Sequence, residues 1–250
     1  MMVGHERRSR PLYGMSQVDR LLALPSGTAR RWIDGYERRG RFYDPVIRIE
    51  PTGSDIVTWG ELVEARFLAE YRVKGVPLIR MRPAILGLRQ EFGRYPLAHA
   101  RPLIDRTELV LRVQESVGLD RALLMVVVRS GQLTLSDPAS HFLQSVEFGG
   151  DEDRTIERIH PLRDNRAVTV DPLCQFGEPV VRSVPTAVIA ELFDAGDSVE
   201  SIAELYELAR DDVEAALRYE RERIEPQPDG EAKIASSRPE KGPVEVRVLV

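Results

Sequence analysis

Apolar residues near the start of the chain recur at helical spacing. Val18, Leu21 and Leu22 share one face, and Leu24-Pro25 stops that run because proline lacks an amide and restricts its neighbour. Ala29, Trp32, Ile33 and Tyr36 fall at i, i+3, i+4 and i+7, which predicts a second short helix with an inward stripe. Ser16, with Asp19 in the capping-box position, is the expected start of the first helix, and Ser26 the cap of the second. Val46–Ile49 and Ile56-Val57 flank the turn signal Pro51-Thr52-Gly53-Ser54 and predict a small hairpin. Thr58 and Glu61 form another capping box, opening a helix lined by Trp59, Leu62, Val63, Phe67 and Tyr71 that ends at Gly75. Pro77 opens a further helix carrying Leu78, Ile85, Leu88 and Phe92, in which Pro83 predicts a kink or a later start.

From Arg101 to Arg166 the period changes. Pro102–Ile104 and Leu109–Val113 flank Asp105-Arg106, a hairpin signal. Leu123–Val128 is a continuous apolar run that predicts a buried strand, turned by Ser130-Gly131-Gln132 toward Leu133–Leu135. Ser136-Asp137-Pro138 starts a helix, and Val146–Phe148 with Ile156–Ile159 suggests another strand pair. Val168–Val170 is a strand. Three helical patterns follow: Val188, Ile189, Leu192 and Phe193 up to Gly196; Ile202, Leu205 and Tyr206 after Asp197-Ser198; then Val213, Ala216, Leu217 and Tyr219.

The resulting expectation is an α+β chain, mainly helical. It has a disordered N-terminus (1–11), a winged helix-turn-helix with a helical extension (12–97), a small mixed middle sheet (98–166), a three-helix module (167–225), and a flexible linker ending in a strand (226–250). The alternation of Val244, Val246, Val248 and Val250 predicts that last strand, which either augments a partner's sheet or docks on its own.

Composition narrows the chemistry. The chain has 250 residues, 42% of them hydrophobic, enough for more than one core. It has no apolar run of membrane-spanning length, its first residues lack the apolar stretch of a secretory signal, and Cys174 is its single cysteine, so a reducing cytoplasm is expected. The four histidines are scattered, and neither a Gly-rich phosphate loop nor a nucleophile elbow occurs. No catalytic residue, metal or cofactor is therefore expected. A metal-dependent nuclease would use clustered carboxylates such as Asp151, Glu152 and Asp153, but these sit in a Gly-flanked polar turn where solvation explains them, which disfavours that reading.

Charge is distributed unevenly. Between Arg20 and Arg41 six arginines face two acids, net +4, inside a chain of net charge -5. Between Pro185 and Glu225 twelve acids face four arginines, net -8, a surface that phosphate would repel. The first stretch points to a polyanion partner. The second is either a protein-binding surface or a solvated face.

Two resemblances attach to these patterns. Thr28-Ala29-Arg30-Arg31-Trp32, Gly35-Tyr36 and Pro45-Val46 resemble the start of MerR-type winged helix-turn-helix domains, although no paired cysteines and no long dimerisation helix follow. This resemblance implies DNA contact by Thr28, Arg30 and Arg31. Ser26, Arg38, Arg39 and Arg41 join them from the basic stretch, with Arg48 on the predicted wing either at phosphate or merely solvated. Asp171-Pro172, Phe176-Gly177-Glu178-Pro179-Val180-Val181-Arg182, Ala195–Leu208 and Asp211–Glu220 resemble the three-helix module of VapB-like antitoxins, in a long form that carries an upstream MerR-like region. One departure is Arg182-Ser183-Val184, where short modules usually have a glycine. The resemblance implies a cytoplasmic, homodimeric, non-enzymatic antitoxin that represses its operon at operator DNA and blocks a PIN-domain ribonuclease toxin. Arg238, Arg247, Val246 and Val248 would then be toxin-binding residues. The alternative is a one-component regulator that binds a small ligand through its middle region.

Overall fold

A computed structural model describes residues 8–224 apart from Val73, Asp153 and Arg163. The expected linker and terminal strand, with Arg238, Val246, Arg247 and Val248, lie outside the described residues, as do residues 1–7. The fold is α+β and mainly helical, with a helix-turn-helix near its start and three helices near its end.

Strand β1 (Pro11–Gly14) leads into α1 (Met15–Leu21), and a tight turn with Ala23 at φ 48° leads to α2 (Thr28–Ile33). The chain is thus ordered earlier than expected: Pro11 already pairs with Thr58, and the Arg10 carbonyl accepts from Trp59 N–H at 3.0 Å. Helix α1 begins ahead of Ser16, with Gly14 as its cap, whose N–H donates to Gln17 Oε1 at 3.4 Å. After α2, β2 (Tyr36–Arg38) and β3 (Arg41–Tyr43) form a hairpin. Its two turn residues, Arg39 (φ 54°) and Gly40 (φ 71°), are both left-handed, as the natural twist of a two-residue hairpin requires.

The hairpin expected over 46–57 does not form. Val46 and Ile47 are consecutive and both buried, so they lack the alternation of a half-exposed strand. Their amides donate to the Trp32 carbonyl at the end of α2, at 2.8 and 2.9 Å. The expected return strand, β4 (Ile56–Thr58), pairs antiparallel with β1 instead.

Helix α3 (Trp59–Arg72) is the post around which the first core packs. Its capping box forms as read: Thr58 N–H donates to Glu61 Oε2 at 2.8 Å, and Glu61 N–H to Thr58 Oγ1 at 3.3 Å. Trp59, Leu62, Val63, Phe67 and Tyr71 are fully buried. A 3₁₀ turn over Leu78–Met81 precedes α4 (Arg82–Phe92), so Pro83 sits in a first turn, where its missing N–H costs nothing.

The expected hairpin over 102–113 is helical. A helical turn over Arg101–Asp105 is followed by α5 (Thr107–Ser116). Within Leu109–Val113 only Val110 is buried, and the inward stripe is Val110 with Gln114. The Gln114 carboxamide oxygen accepts from Met125 N–H (3.1 Å) and Val126 N–H (3.2 Å), a demand that comes from outside the helix. Strands β5 (Val126–Arg129) and β6 (Gln132–Leu135) pair, α6 (Asp137–Gln144) starts at the expected Ser136, and β7 (Val146–Phe148) pairs with β8 (Ile156–Ile159). The middle is thus two-stranded ribbons rather than one mixed sheet, with Ile159 of β8 bridged to Val170 and the Ile156 carbonyl accepting from Trp59 Nε1 of α3.

Strands β9 (Val168–Thr169), β10 (Val180–Val181) and β11 (Val184–Pro185) form a small sheet in the order β11-β10-β9. Helices α7 (Thr186–Asp194), α8 (Val199–Leu205) and α9 (Arg210–Ile224) follow. Val168, Val181, Ile189, Ile202, Val213, Ala216 and Tyr219 make a second core. Arg182 takes the left-handed turn conformation (φ 57°) where glycine is usual, and its Nε donates to Asp212 at 3.0 Å.

Candidate nucleic-acid interface

The second helix of the helix-turn-helix has six residues, too few to be stable alone. Asp19, one turn up on α1, supplies what it lacks. Its carboxylate accepts from Gly27 N–H and Ala29 N–H, both at 2.7 Å. Asp19 therefore caps α2 across the turn rather than α1. Ser26, expected in that role, is exposed and makes no capping bond among the described residues. Burial pushes the Asp19 carboxyl above its ordinary value, against the opposing pull of the Ala29 and Gly27 amides.

Of the six residues of α2, Thr28, Ala29, Trp32 and Ile33 are buried, leaving Arg30 and Arg31 to face outward. Thr28, expected at DNA, is 2% exposed. Its hydroxyl accepts from Arg31 Nη2 at 2.8 Å, so it orients Arg31 and offers little surface of its own. Arg30 is paired with the exposed carboxylate of Asp55.

The β2–β3 hairpin follows α2 directly. Tyr36, read as the last residue of the helical stripe, is in β2 and stacks on Tyr43, centroids 4.8 Å apart. The Arg41 guanidinium lies 5.4 Å from the Tyr43 ring centre. Arg38, Arg39 and Arg41 are all exposed. Gly35 (φ 81°) lets the hairpin fold back tightly, since a Cβ there would lie 2.6 Å from the Tyr43 carbonyl oxygen. Arg30 and Arg31 thus stand on α2, Ser26 just ahead of it, and Arg38, Arg39 and Arg41 on the hairpin that follows it directly.

Arg48 is elsewhere and is neither solvated nor at the surface. Its side chain is 9% exposed. Nη1 donates to Asp34 (2.7 Å) and Nε to Glu61 (2.8 Å), while Ser54 and Ile56 carbonyls accept at 3.1 and 2.7 Å. Asp34 also accepts from Thr52 N–H (2.7 Å) and Gly53 N–H (2.9 Å). Burial alone would raise the Asp34 carboxyl, but the Thr52 and Gly53 amides and Arg48 outweigh it and hold the group below its ordinary value. This hub ties the end of α2 to the start of α3. Sequence reasoning gave Asp19 to the cap of the wrong helix and missed Asp34 and Asp55, because the partners of all three are contributed from outside their own turn of chain.

Other candidate chemistry resolves into structure. The Asp151 carboxylate accepts from the Thr155 amide and hydroxyl, both at 2.6 Å, and Asp153 lies outside the described residues. Among the described residues no group of three or more His, Cys, Asp or Glu could hold a metal ion, and no helix is long and apolar enough to cross a membrane.

Residues 11–85 match the family described as "Putative DNA-binding HTH domain", and residues 168–219 match the "Protein of unknown function (DUF433)" family. A helix-turn-helix head joined to a DUF433 module is thus the class of protein that the fold and both matches define. Over 218 residues the chain is 39% identical to "Uncharacterized protein Rv2308" of Mycobacterium tuberculosis, spanning 84% of this chain and 90% of that protein. It is 30% identical over 222 residues to "Putative antitoxin VapB45" of the same organism, spanning 83% and 92%. The X-ray crystal structure of Rv2018 from Mycobacterium tuberculosis matches with a TM-score of 0.69 at 28% identity, over 84% of this chain and 99% of that one. The chain belongs to the family that contains Rv2308 and VapB45.

Proposed function

We propose that this protein is the antitoxin of a type II toxin–antitoxin pair, with a MerR-like head. As a cytoplasmic homodimer without catalytic activity of its own, it binds operator DNA, represses its operon and neutralises a PIN-domain ribonuclease toxin. The observation that carries the reading is the cationic stretch of the head: Arg30 and Arg31 face outward from α2, and Arg38, Arg39 and Arg41 stand on the adjoining hairpin. Phosphate contacts supply most of the affinity of such a surface, and side chains on the recognition helix read base edges. The acidic C-terminal module is unsuited to DNA and takes the protein partner, in keeping with the name of the VapB45 relative.

The test is fluorescence anisotropy of the purified chain on the duplex upstream of its own gene, against a scrambled duplex of equal length. Arg31→Ala should cost about 1–3 kcal/mol on the former. Equal weak binding to both, indifferent to every arginine change in residues 26–41, would overturn the DNA assignment. Co-expression with the product of the adjacent gene tests the other half: a stable complex with suppressed ribonuclease activity is expected.

One observation favours the ligand-binding regulator as a second reading. A cleft of about 700 Å³ lies between the helix-turn-helix turn at Leu22–Leu24, Arg66 and Ala69 of α3, and Arg218 of α9, and takes from the middle region only Pro161, Leu162, Asp164 and Asn165 at its end. A volume of this size suits a small organic ligand. A metabolite that raises the melting temperature and also changes DNA affinity would support this reading over the first.

A further inference from the structure

Of the two arginines of α2, Arg31 is half-buried, held by the Thr28 hydroxyl and within the field of the Asp19 carboxylate, whereas the exposed Arg30 is paired with the carboxylate of Asp55. Asp55 is 71% exposed, so this pair contributes little to stability, yet it puts a negative charge on the face that would meet phosphate. Nor is Asp55 on a loose loop. Met15 N–H donates to its carbonyl at 3.2 Å, Arg48 donates to the carbonyls of Ser54 and Ile56 on either side, and Asp34 holds the amides of Thr52 and Gly53. The buried hub therefore fixes the backbone that presents this carboxylate to Arg30.

We propose that Asp55 is a selectivity gate for the DNA-binding head: by engaging Arg30 it withholds that arginine from the phosphate backbone and releases it only to a base edge that competes for it. The proposal rests on the DNA-binding reading and deepens it. Every duplex presents the same phosphates, so a fixed carboxylate weakens binding to arbitrary DNA throughout. A guanine edge offers two acceptors in a geometry that matches the guanidinium fork, and it can displace a single exposed carboxylate. The gate thus lowers non-specific affinity more than specific affinity, which widens the difference that defines selectivity.

The test uses the full chain and its Asp55→Asn variant, which keeps size and hydrogen-bonding capacity while removing the charge. Both are titrated by anisotropy into the upstream duplex and a scrambled duplex, at salt concentrations from about 50 to 200 mM. The variant should bind the scrambled duplex several-fold more tightly and gain less on the upstream one. Releasing one more counterion steepens the log–log salt slope by about 0.9, so the gain should shrink roughly threefold across that range. Arg30→Ala combined with Asp55→Asn should abolish the gain, and matching thermal melts check that both variants fold. An equal gain on both duplexes, a loss on both, or no change overturns the gate while leaving DNA binding intact. A parent chain that binds neither duplex overturns the DNA reading and the gate with it.

Discussion

Replacing Arg48 separates two physical roles that an arginine in a DNA-binding head can have. Its side chain is buried between Asp34 and Glu61, which are themselves 7% and 4% exposed. Arg48→Ala would leave two buried carboxylates without their shared cation, and removing one partner of a buried pair costs about 3–5 kcal/mol. For a chain of this size each kcal/mol is worth roughly 2–4 °C, so melting should fall by about 6–20 °C. The effect has a pH signature. The Asp34 carboxyl is held below its ordinary value in the folded chain, so the hub's stabilisation is present above the unfolded carboxylate range and is lost as pH falls through the lower folded value. The penalty of Arg48→Ala should therefore shrink in acid.

Thermal and urea unfolding measure the first quantity, and the salt dependence of DNA affinity measures the alternative. An arginine at phosphate would give a variant of nearly parental stability whose salt slope falls by about one. The hub predicts the opposite pattern: lost stability and, below the lowered melting point, an unchanged slope. A variant that melts within about 2 °C of the parent would refute the reasoning.

Three further outcomes follow from the same geometry. Asp19→Ala removes both acceptors of the α2 cap and should cost about 2 kcal/mol, seen as faster amide exchange over residues 27–33; unchanged protection there would refute the cross-turn cap. Gly35→Ala combines a left-handed backbone with a Cβ pressed on the Tyr43 carbonyl, so it should disorder the β2–β3 hairpin and expose the Tyr36–Tyr43 stack to fluorescence quenchers, whereas parental quenching would count against it. Glu64 is fully buried beside Arg89 (3.0 Å), and burial pushes its carboxyl up to about 7. The folded chain then holds this proton more firmly than the unfolded one, so stability falls by about 3 kcal/mol as pH rises through that interval. Glu64→Gln should remove that slope in urea melts at pH 5 and 8, and a parent–variant difference independent of pH would contradict it.

What could be read in advance was local. The inward stripe Ala29, Trp32 and Ile33, the Thr58–Glu61 box, and the Ser136 and Ser198 caps depend on residues within a turn of each other, and all form. The errors arise where distant chain decides. Tyr36 fits a helical stripe by spacing, but Gly35 and the Arg39-Gly40 turn make it a strand residue. Leu109–Val113 is rich in strand formers, yet the amides of Met125 and Val126 donate to the Gln114 side chain and fix it inward beside Val110 at helical spacing. Arg48 reads as a wing residue from its neighbours alone because its anions are 14 and 13 residues away in the chain. The candidate site divides in the same way: its arginines stand in one basic stretch, whereas Asp19 and Asp55, which hold and oppose that stretch, carry no sign of it in their own surroundings.

Helix α1 belongs to the first core and is hydrogen-bonded to the second, so it is where the acidic module meets the basic head. Val18, Leu21 and Leu22 are in the first core, while the Leu21 carbonyl accepts from the Tyr219 hydroxyl of α9 at 3.4 Å. Gln17 of the same helix donates to Glu178 of the module at 2.8 Å, and Gly177 packs directly on the Tyr13 hydroxyl just ahead of it. Two residues from Leu21, Asp19 holds the amides that start α2. The module thus meets the head at α1 through Gln17 and Leu21, and at β1 through Tyr13. A partner seated on α9 would therefore touch the helix whose Asp19 carboxylate also caps α2.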